Sequence, residues 1–240
     1  MPKTILMVAA EAREFEGLLS RLPSHKLDWG LQFAREAEWN GNKAILVAHG
    51  AGLQLAGQAA DTARRHVRPD AVVSAGFCGA VDPGLKVGDV VVASAVVDRD
   101  NGKRYSAAPL LSPPGLDAER ASSGGDILST NRVAATAAEK RELWTSGVRA
   151  VEMESAAVAS RAQIWNVPFY CVRTVSDTAG ENFSIDFNRM RNARGRFSRG
   201  RIVMSALARP WSRIPALLKL EKSCRIAARS LGDFLANCRF

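Results

Sequence analysis

The stretch AVEMESAAVASRAQIWNVPFYCVRTVSDTAG (Ala150–Gly180) decides the fold class. Val148–Val151 is a short apolar run that reads as a strand, and Pro168–Val175 is a second. Between them Glu154–Trp165 has the length and the small and apolar residues of a packed helix. Polar groups collect where each strand stops: Glu152 and Glu154 after the first, Ser176 and Asp177 after the second. Ligand sites in α/β sheets gather at strand ends.

The same alternation extends outward. Thr4–Ala10 and Ala71–Ala75 read as buried strands, and Asp89–Val97 as one long β-branched strand. A helical pattern runs from about Ala12 to Arg21, with Phe15, Leu18, Leu19 and Leu22 on one face, and Pro23 ends it. Asn40-Gly41-Asn42 between Leu31–Trp39 and Lys43–His49 is a hairpin signal. A helix follows His49-Gly50-Ala51-Gly52 as far as about Val67. Gly76-Phe77-Cys78-Gly79 reads as a two-glycine turn, and residues 98–125 as loop. Asp126–Ser129 reads as strand and Val133–Leu143 as helix. This order predicts an α/β fold: a single domain with a central mixed β-sheet flanked by helices.

Composition agrees. The 240 residues are 47% hydrophobic and 24% charged, as in ordinary globular proteins. Cys78, Cys171, Cys224 and Cys238 spell no zinc ribbon or CxxC motif, and His25, His49 and His66 have no metal-ligand spacing, so no metal is expected. The N-terminus lacks a signal-peptide pattern and no run reaches membrane-spanning length, so a cytoplasmic location is expected. The net charge of +9 is uneven. Residues 189–240 hold 13 Lys and Arg against 2 Asp and Glu, whereas residues 1–188 hold 20 against 22. The division expected is therefore a body over 1–188 and a basic helical extension over 189–240, packed on or adjoining it. Helices are expected over about Ile202–Leu207 and Pro215–Leu235.

An ionised carboxylate such as Glu154 or Glu152 can accept from both neighbouring hydroxyls of a ribose. Equally, both acids suit a helix start. Asp177 at a strand end suits a general acid raised by desolvation, or an ordinary cap. Gly50-Ala51-Gly52 and Gly76 would let backbone approach a ligand, though tight turns explain them as well.

Taken together, SAGFCGAVDPGLKVGDVVVAS (Ser74–Ser94), AVEMESAAVA (Ala150–Ala159) and NVPFYCVRTVSDTAG (Asn166–Gly180) resemble the purine nucleoside phosphorylase/nucleosidase superfamily, across roughly residues 4–188. NRVAATAAEKREL (Asn131–Leu143) and SRIPALLKL (Ser212–Leu220) resemble its hopanoid-associated branch. The resemblance implies cleavage of the N-glycosidic bond of a purine nucleoside with a bulky 5′ group, adenosylhopane for that branch, with release of adenine. It implies that Glu154 binds the ribose hydroxyls over Met153 and that Asp177 meets purine N7. Glu152, Ser176 and Ala179 would border the site, with Gly50, Gly76 and Phe77 near the sugar and Val133 near the base.

Hydrolytic relatives place a glutamate after strand one to hold water, and phosphorolytic ones an arginine to grip phosphate. Counting from the strand puts Arg13 there, with Glu11 two residues earlier. Arg13 would favour phosphorolysis, with inorganic phosphate as co-substrate and no other cofactor. Ser74 and Phe77 stand where the other two phosphate anchors are expected. Hydrolysis assisted by Glu11 remains open, as does a non-catalytic nucleoside- or membrane-binding relative. A homo-oligomer is implied. The basic amphipathic tail fits an anionic membrane surface, or a helix packed on the body with its charges in water. No nucleic-acid-binding motif accompanies it.

Overall fold

The computed structural model describes residues 2–110, 121–190, 204–205 and 210–239. The expected turns over 111–120, the Arg-rich stretch over 191–200 and most of the helix expected at 202–207 lie outside them.

Strand β5 (Ala71–Ala80) is the axis of the sheet. Gly76 to Gly79 do not turn; the strand continues through them. Two small-residue positions in this run let neighbours close in. A Cβ on Gly76 would lie 2.4 Å from Glu14 Oε1 and 2.6 Å from Arg173 Nη1, and one on Gly79 would lie 2.9 Å from Asp177 Oδ2. On one edge β5 pairs in parallel with β1 (Thr4–Ala9), then antiparallel with β11 (Val148–Glu152). On the other it pairs in parallel with β12 (Phe169–Asp177), from Val72 to Gly79.

Beyond β1 lie β4 (Asn42–Ala48), β3 (Phe33–Trp39) and β2 (Ser24–Lys26). Asn40 and Gly41 both have positive φ, 50° and 73°, the geometry of a two-residue hairpin turn. The run expected as one strand over 89–97 is divided: β6 (Val90–Val92) pairs with β12, and β7 (Ala95–Asp98) with β10 (Asp126–Ser129). At the break, Ala93 N–H donates to Cys171 O and Ser94 N–H to Gly125 O. Its propensity is β throughout, but its partners change. Two three-residue strands complete the sheet: β8 (Arg104–Ser106) beside β7, and β9 (Ala121–Ser123) beside β6.

Helices cover both faces. On one, α2 (Leu53–His66) and α4 (Ser155–Trp165) pack their alanines on Leu6, Val8, Val72 and Cys171. On the other lie a 3-10 turn over Ala12–Phe15, the short α1 (Glu16–Leu19) and the 28-residue α5 (Pro210–Asn237). There Phe15, Leu18, Leu231, Phe234, Leu235 and Cys238 bury against Ile5, Met7 and Trp39. The end of α5 is thus core. Trp39 Nε1 donates to Leu235 O at 3.0 Å, and Asn40 Nδ2 to Ala236 O and Cys238 O.

Helix α5 reaches α1 backbone to backbone. A Cβ on Gly17 would lie 2.2 Å from Ala228 O, and one on Gly232 2.2 Å from the Gly17 carbonyl carbon. The helix expected over Val133–Leu143 is α3 (Ala137–Trp144); Thr136 caps it by accepting from Glu139 N. Among the described residues, no helix is long and apolar enough to cross a membrane.

Candidate active site

Strands β1, β5, β11 and β12 release their carboxyl ends into one cavity of about 250 Å³. Glu11, Arg13, Glu14, Phe77, Cys78, Val133, Glu152, Met153, Glu154, Ser176 and Asp177 line it, and α5 adds Leu220 and Cys224.

Its polar floor is built around Arg173, which is fully buried in the middle of β12. A guanidinium there must have all its donors met. Nη2 lies 2.6 Å from Glu152 Oε2 and donates to Ser74 Oγ at 2.7 Å and Ser155 Oγ at 2.8 Å. Nη1 reaches Glu154 Oε2 at 3.4 Å. Burial by itself would lower the Arg173 pKa, but Glu152 and Glu154, with Cys171 and Glu14, raise it overall. It stays charged.

Glu152 is held by the backbone N–H of Glu154 and of Ser155, both at 2.9 Å to Oε2, and by the Ser129 hydroxyl. Glu154 accepts from Gly52 N–H at 2.9 Å. Burial, and then Glu152, push its pKa up to about 8 against the relief that Arg173 gives. Hydroxyl donors from a sugar would favour the ionised form of Glu154.

The residue after strand one is where structure corrects the count. Glu14, not Arg13 or Glu11, points inward. Its Oε2 accepts from Ala10 N–H and Glu11 N–H, both at 2.8 Å, and its Oε1 from Phe77 N–H at 2.7 Å. Burial raises its pKa; Arg173 and the amides of Glu11 and Phe77 oppose that. Arg13 and Glu11 sit at the rim, paired at 2.9 Å, with side chains 43% and 40% exposed. The Arg13 guanidinium also lies 5.8 Å from the Phe77 ring centroid and 3.8 Å from Glu221. The physical reason is the capping box: Glu14 is the third residue of the turn, so its carboxylate reaches back to the amides of Ala10 and Glu11. Glu11-x-x-Glu14 was the readable signal, because an acid three residues into a helical turn reaches back to the free amide at its start.

Asp177 lies across the cavity. Ser176 Oγ donates to its Oδ1 at 2.7 Å, and Lys140 Nζ lies 2.5 Å from its Oδ2. Burial raises its pKa, and Lys140 opposes. Lys140 and Arg173 had no sequence role, although a lone charge inside the apolar PFYCVRTV required a partner. Of the other expected residues, Met153 and Val133 line the cavity, and Asn188 holds the Val133 amide. Gly50 and Gly76 do not line it: Gly50 N–H donates to Ala10 O, and Gly76 leaves the space that both Glu14 and Arg173 approach. Gly52 N–H instead holds Glu154. Ala179 is also outside the lining.

Comparisons with known proteins place the chain in a family. The family model described as the phosphorylase superfamily matches residues 13–199. A 5′-methylthioadenosine/S-adenosylhomocysteine nucleosidase of Bacillus cytotoxicus is 29% identical over 176 residues, 62% of this chain and 74% of that one. One from Bacillus anthracis is 28% identical over 187 residues, 66% and 78% of the two chains. The Neisseria meningitidis nucleosidase of that name, solved with methylthio-immucillin-A, superposes with a TM-score of 0.73 at 23% identity, over 98% of this chain and 97% of that one. Futalosine hydrolase of Helicobacter pylori gives 0.69 at 17%, over 97% and 95%. The matched model spans the 3-10 turn with Glu14, the β11 acids and Asp177 alike, and the chain is an enzyme of the phosphorylase superfamily.

Proposed function

We propose that this enzyme hydrolyses the N-glycosidic bond of an adenosine-type nucleoside carrying a bulky apolar 5′ group, releasing adenine. The observation that carries this reading is the buried Glu14 carboxylate, held by three backbone amides within a floor that already contains Glu152 and Glu154. A second anion as large as phosphate is poorly received at that buried floor, where the Arg173 guanidinium faces three acids and Arg13 stays at the rim, paired with Glu11. A neutral water is not disfavoured in that way. In this reading Glu14 takes a proton from the water that attacks the anomeric carbon, Glu154 holds the ribose hydroxyls, and Asp177 protonates the leaving base. The sugar gains positive charge and the base negative charge as the bond stretches; carboxylates on one side and an acid on the other stabilise both.

The walls left beyond these acids support an apolar 5′ group. Phe183, Phe187, Leu220 and Cys224 line the cavity, and Phe183, Phe187, Leu217 and Leu220 continue it outward. The relatives' names, which specify 5′-methylthioadenosine and S-adenosylhomocysteine, support an adenosine core. Adenosylhopane is one candidate of this chemistry. We further propose that the outer face of α5, with Trp211 94% and Leu218 66% exposed, rests on an anionic membrane, so that a lipid-borne substrate enters from the bilayer.

The test is product mass. Adenosine with an alkyl 5′ extension is incubated with and without phosphate. Expected are adenine and free sugar in both cases, and a loss of about 10²–10⁴ in kcat for Glu14→Gln. Sugar 1-phosphate formed only with phosphate would replace hydrolysis by the phosphorolysis that Arg13 suggested in the sequence. Absence of adenine in every condition would overturn the reading.

A further inference from the structure

Lys140 is a buried charged side chain beside Asp177 that the mechanism above does not use. It projects from α3 and is completely buried. Its Nζ contacts Asp177 Oδ2 at 2.5 Å, donates to Thr178 O at 2.8 Å, and lies 5.5 Å from the Phe183 ring centroid. All three ammonium protons therefore have an acceptor, a carbonyl or a ring face to meet. Burying an ammonium costs several kcal/mol unless it is paired. The fold bears that cost at the acid facing the leaving base.

We propose that Lys140 and Asp177 act as one acid, with Lys140 as a positioning residue that works through Asp177 and the pair holding jointly the proton delivered to the departing purine. When the C1′–N9 bond breaks, its electron pair goes to the base. N7 takes a proton from the Asp177 carboxyl, and the Lys140 ammonium restores that proton to Asp177. Lys140 is left as a neutral amine and recovers a proton from solvent after the base departs. The C1′–N9 bond breaks and its electron pair and the proton go to the base, while the water that bonds to C1′ gives its own proton to Glu14; the pair regains its proton from solvent.

The surroundings suit the assignment. Ser176 on β12 donates to Asp177 and is also within 3.2 Å of Cys78 O on β5. The Asp177 contact is the shorter of the two, so the Ser176 hydroxyl fixes Oδ1 while Lys140 holds Oδ2. The other titratable groups facing Asp177 are Glu181, Cys78 and Cys224. Glu181 is paired with Lys219 of α5 at 2.9 Å, and the two thiols are raised by burial. Lys140 is the cation that faces Asp177.

The inference rests on the proposed glycosidic cleavage, and its test separates the two. Lys140→Met and Lys140→Arg are compared with wild type on the alkyl adenosine and on 4-nitrophenyl riboside, whose leaving group needs no proton. Lys140→Met is expected to lose about 10²–10⁴ on the nucleoside and far less on the nitrophenyl riboside. The alkaline limb of its kcat profile should move to higher pH, because the ammonium that opposes protonation of Asp177 is gone. Lys140→Arg keeps the charge but does not release a proton, so it should not restore the rate. Equal losses on both substrates, or rescue by arginine, would reduce the pair to a structural salt bridge. Should wild type release no adenine, the cleavage reading fails by itself. The 13Cγ titration of Asp177 then still decides the coupling: a step unmoved by Lys140→Met sinks it.

Discussion

Glu154 is raised from about the ordinary glutamate value to about 8, so the folded chain holds its proton more tightly than the unfolded chain does. Between about pH 4.5 and 8 the folded state then binds more protons, and stability falls as pH rises through that window, by at most about 1.4 kcal/mol per pH unit for this one group. Glu14 and Asp177 are raised as well and add to the same slope. Glu154→Gln carries a permanently neutral amide with no proton to lose. Urea unfolding at several pH values should show a shallower decline for this variant than for wild type; identical slopes would rule the argument out. At this scale the sequence was partly legible. Glu152, Glu154 and Asp177 follow strands, which by itself left them open between a site and a helix start or cap, and the resemblance to the superfamily singled them out. Glu14 was hidden by a count along the strand register that stopped at Arg13, and Lys140 by the ordinary place of lysine on a helix surface. Nothing local to α3 says that residue 140 faces inward, since its counter-charge is 37 residues away.

Elements were read well where local chemistry decides them and poorly where partners do. The β3–β4 hairpin followed from Asn40 and Gly41. The division of β6 from β7 and the extension of β5 through Gly79 did not, because both depend on which strand lies alongside. The meeting of α1 and α5 is also a matter of partners, and it positions the site: the turn that carries Glu14 runs directly into α1. Gly17→Ala or Gly232→Ala would place a methyl group against backbone, which cannot move aside as a flexible side chain does. A loss of about 1–3 kcal/mol or more is expected from the overpacking. Adenine release should fall with it as Glu14 shifts. Wild-type stability in both variants would show that the two helices do not depend on this contact.

For the molecule as a whole, the charge division seen in the sequence does not coincide with a division of the fold. The basic segment ends in the core at Leu231, Phe234 and Leu235, while Trp211, Ile214 and Leu218 earlier in the same helix are exposed. One helix thus has a buried end and an outward end. The outward end predicts sedimentation with vesicles containing anionic lipid, weaker at high salt as screening requires. Trp211→Ser with Leu218→Ser should reduce it and leave adenosine turnover in solution within about twofold of wild type. Equal binding of wild type and double variant to those vesicles would remove the membrane from the account.

The backbone contact between Gly17 and Gly232 also orders events during synthesis. Strand β1 and the turn bearing Glu14 are made some 200 residues before the helix that packs against them. At about 5–20 residues per second that interval is on the order of ten seconds or more. Throughout it, Phe15 and Leu18 lack their partners Leu231, Phe234 and Leu235. The nascent chain therefore carries an apolar face next to a pocket that still lacks its Leu220 and Cys224 wall.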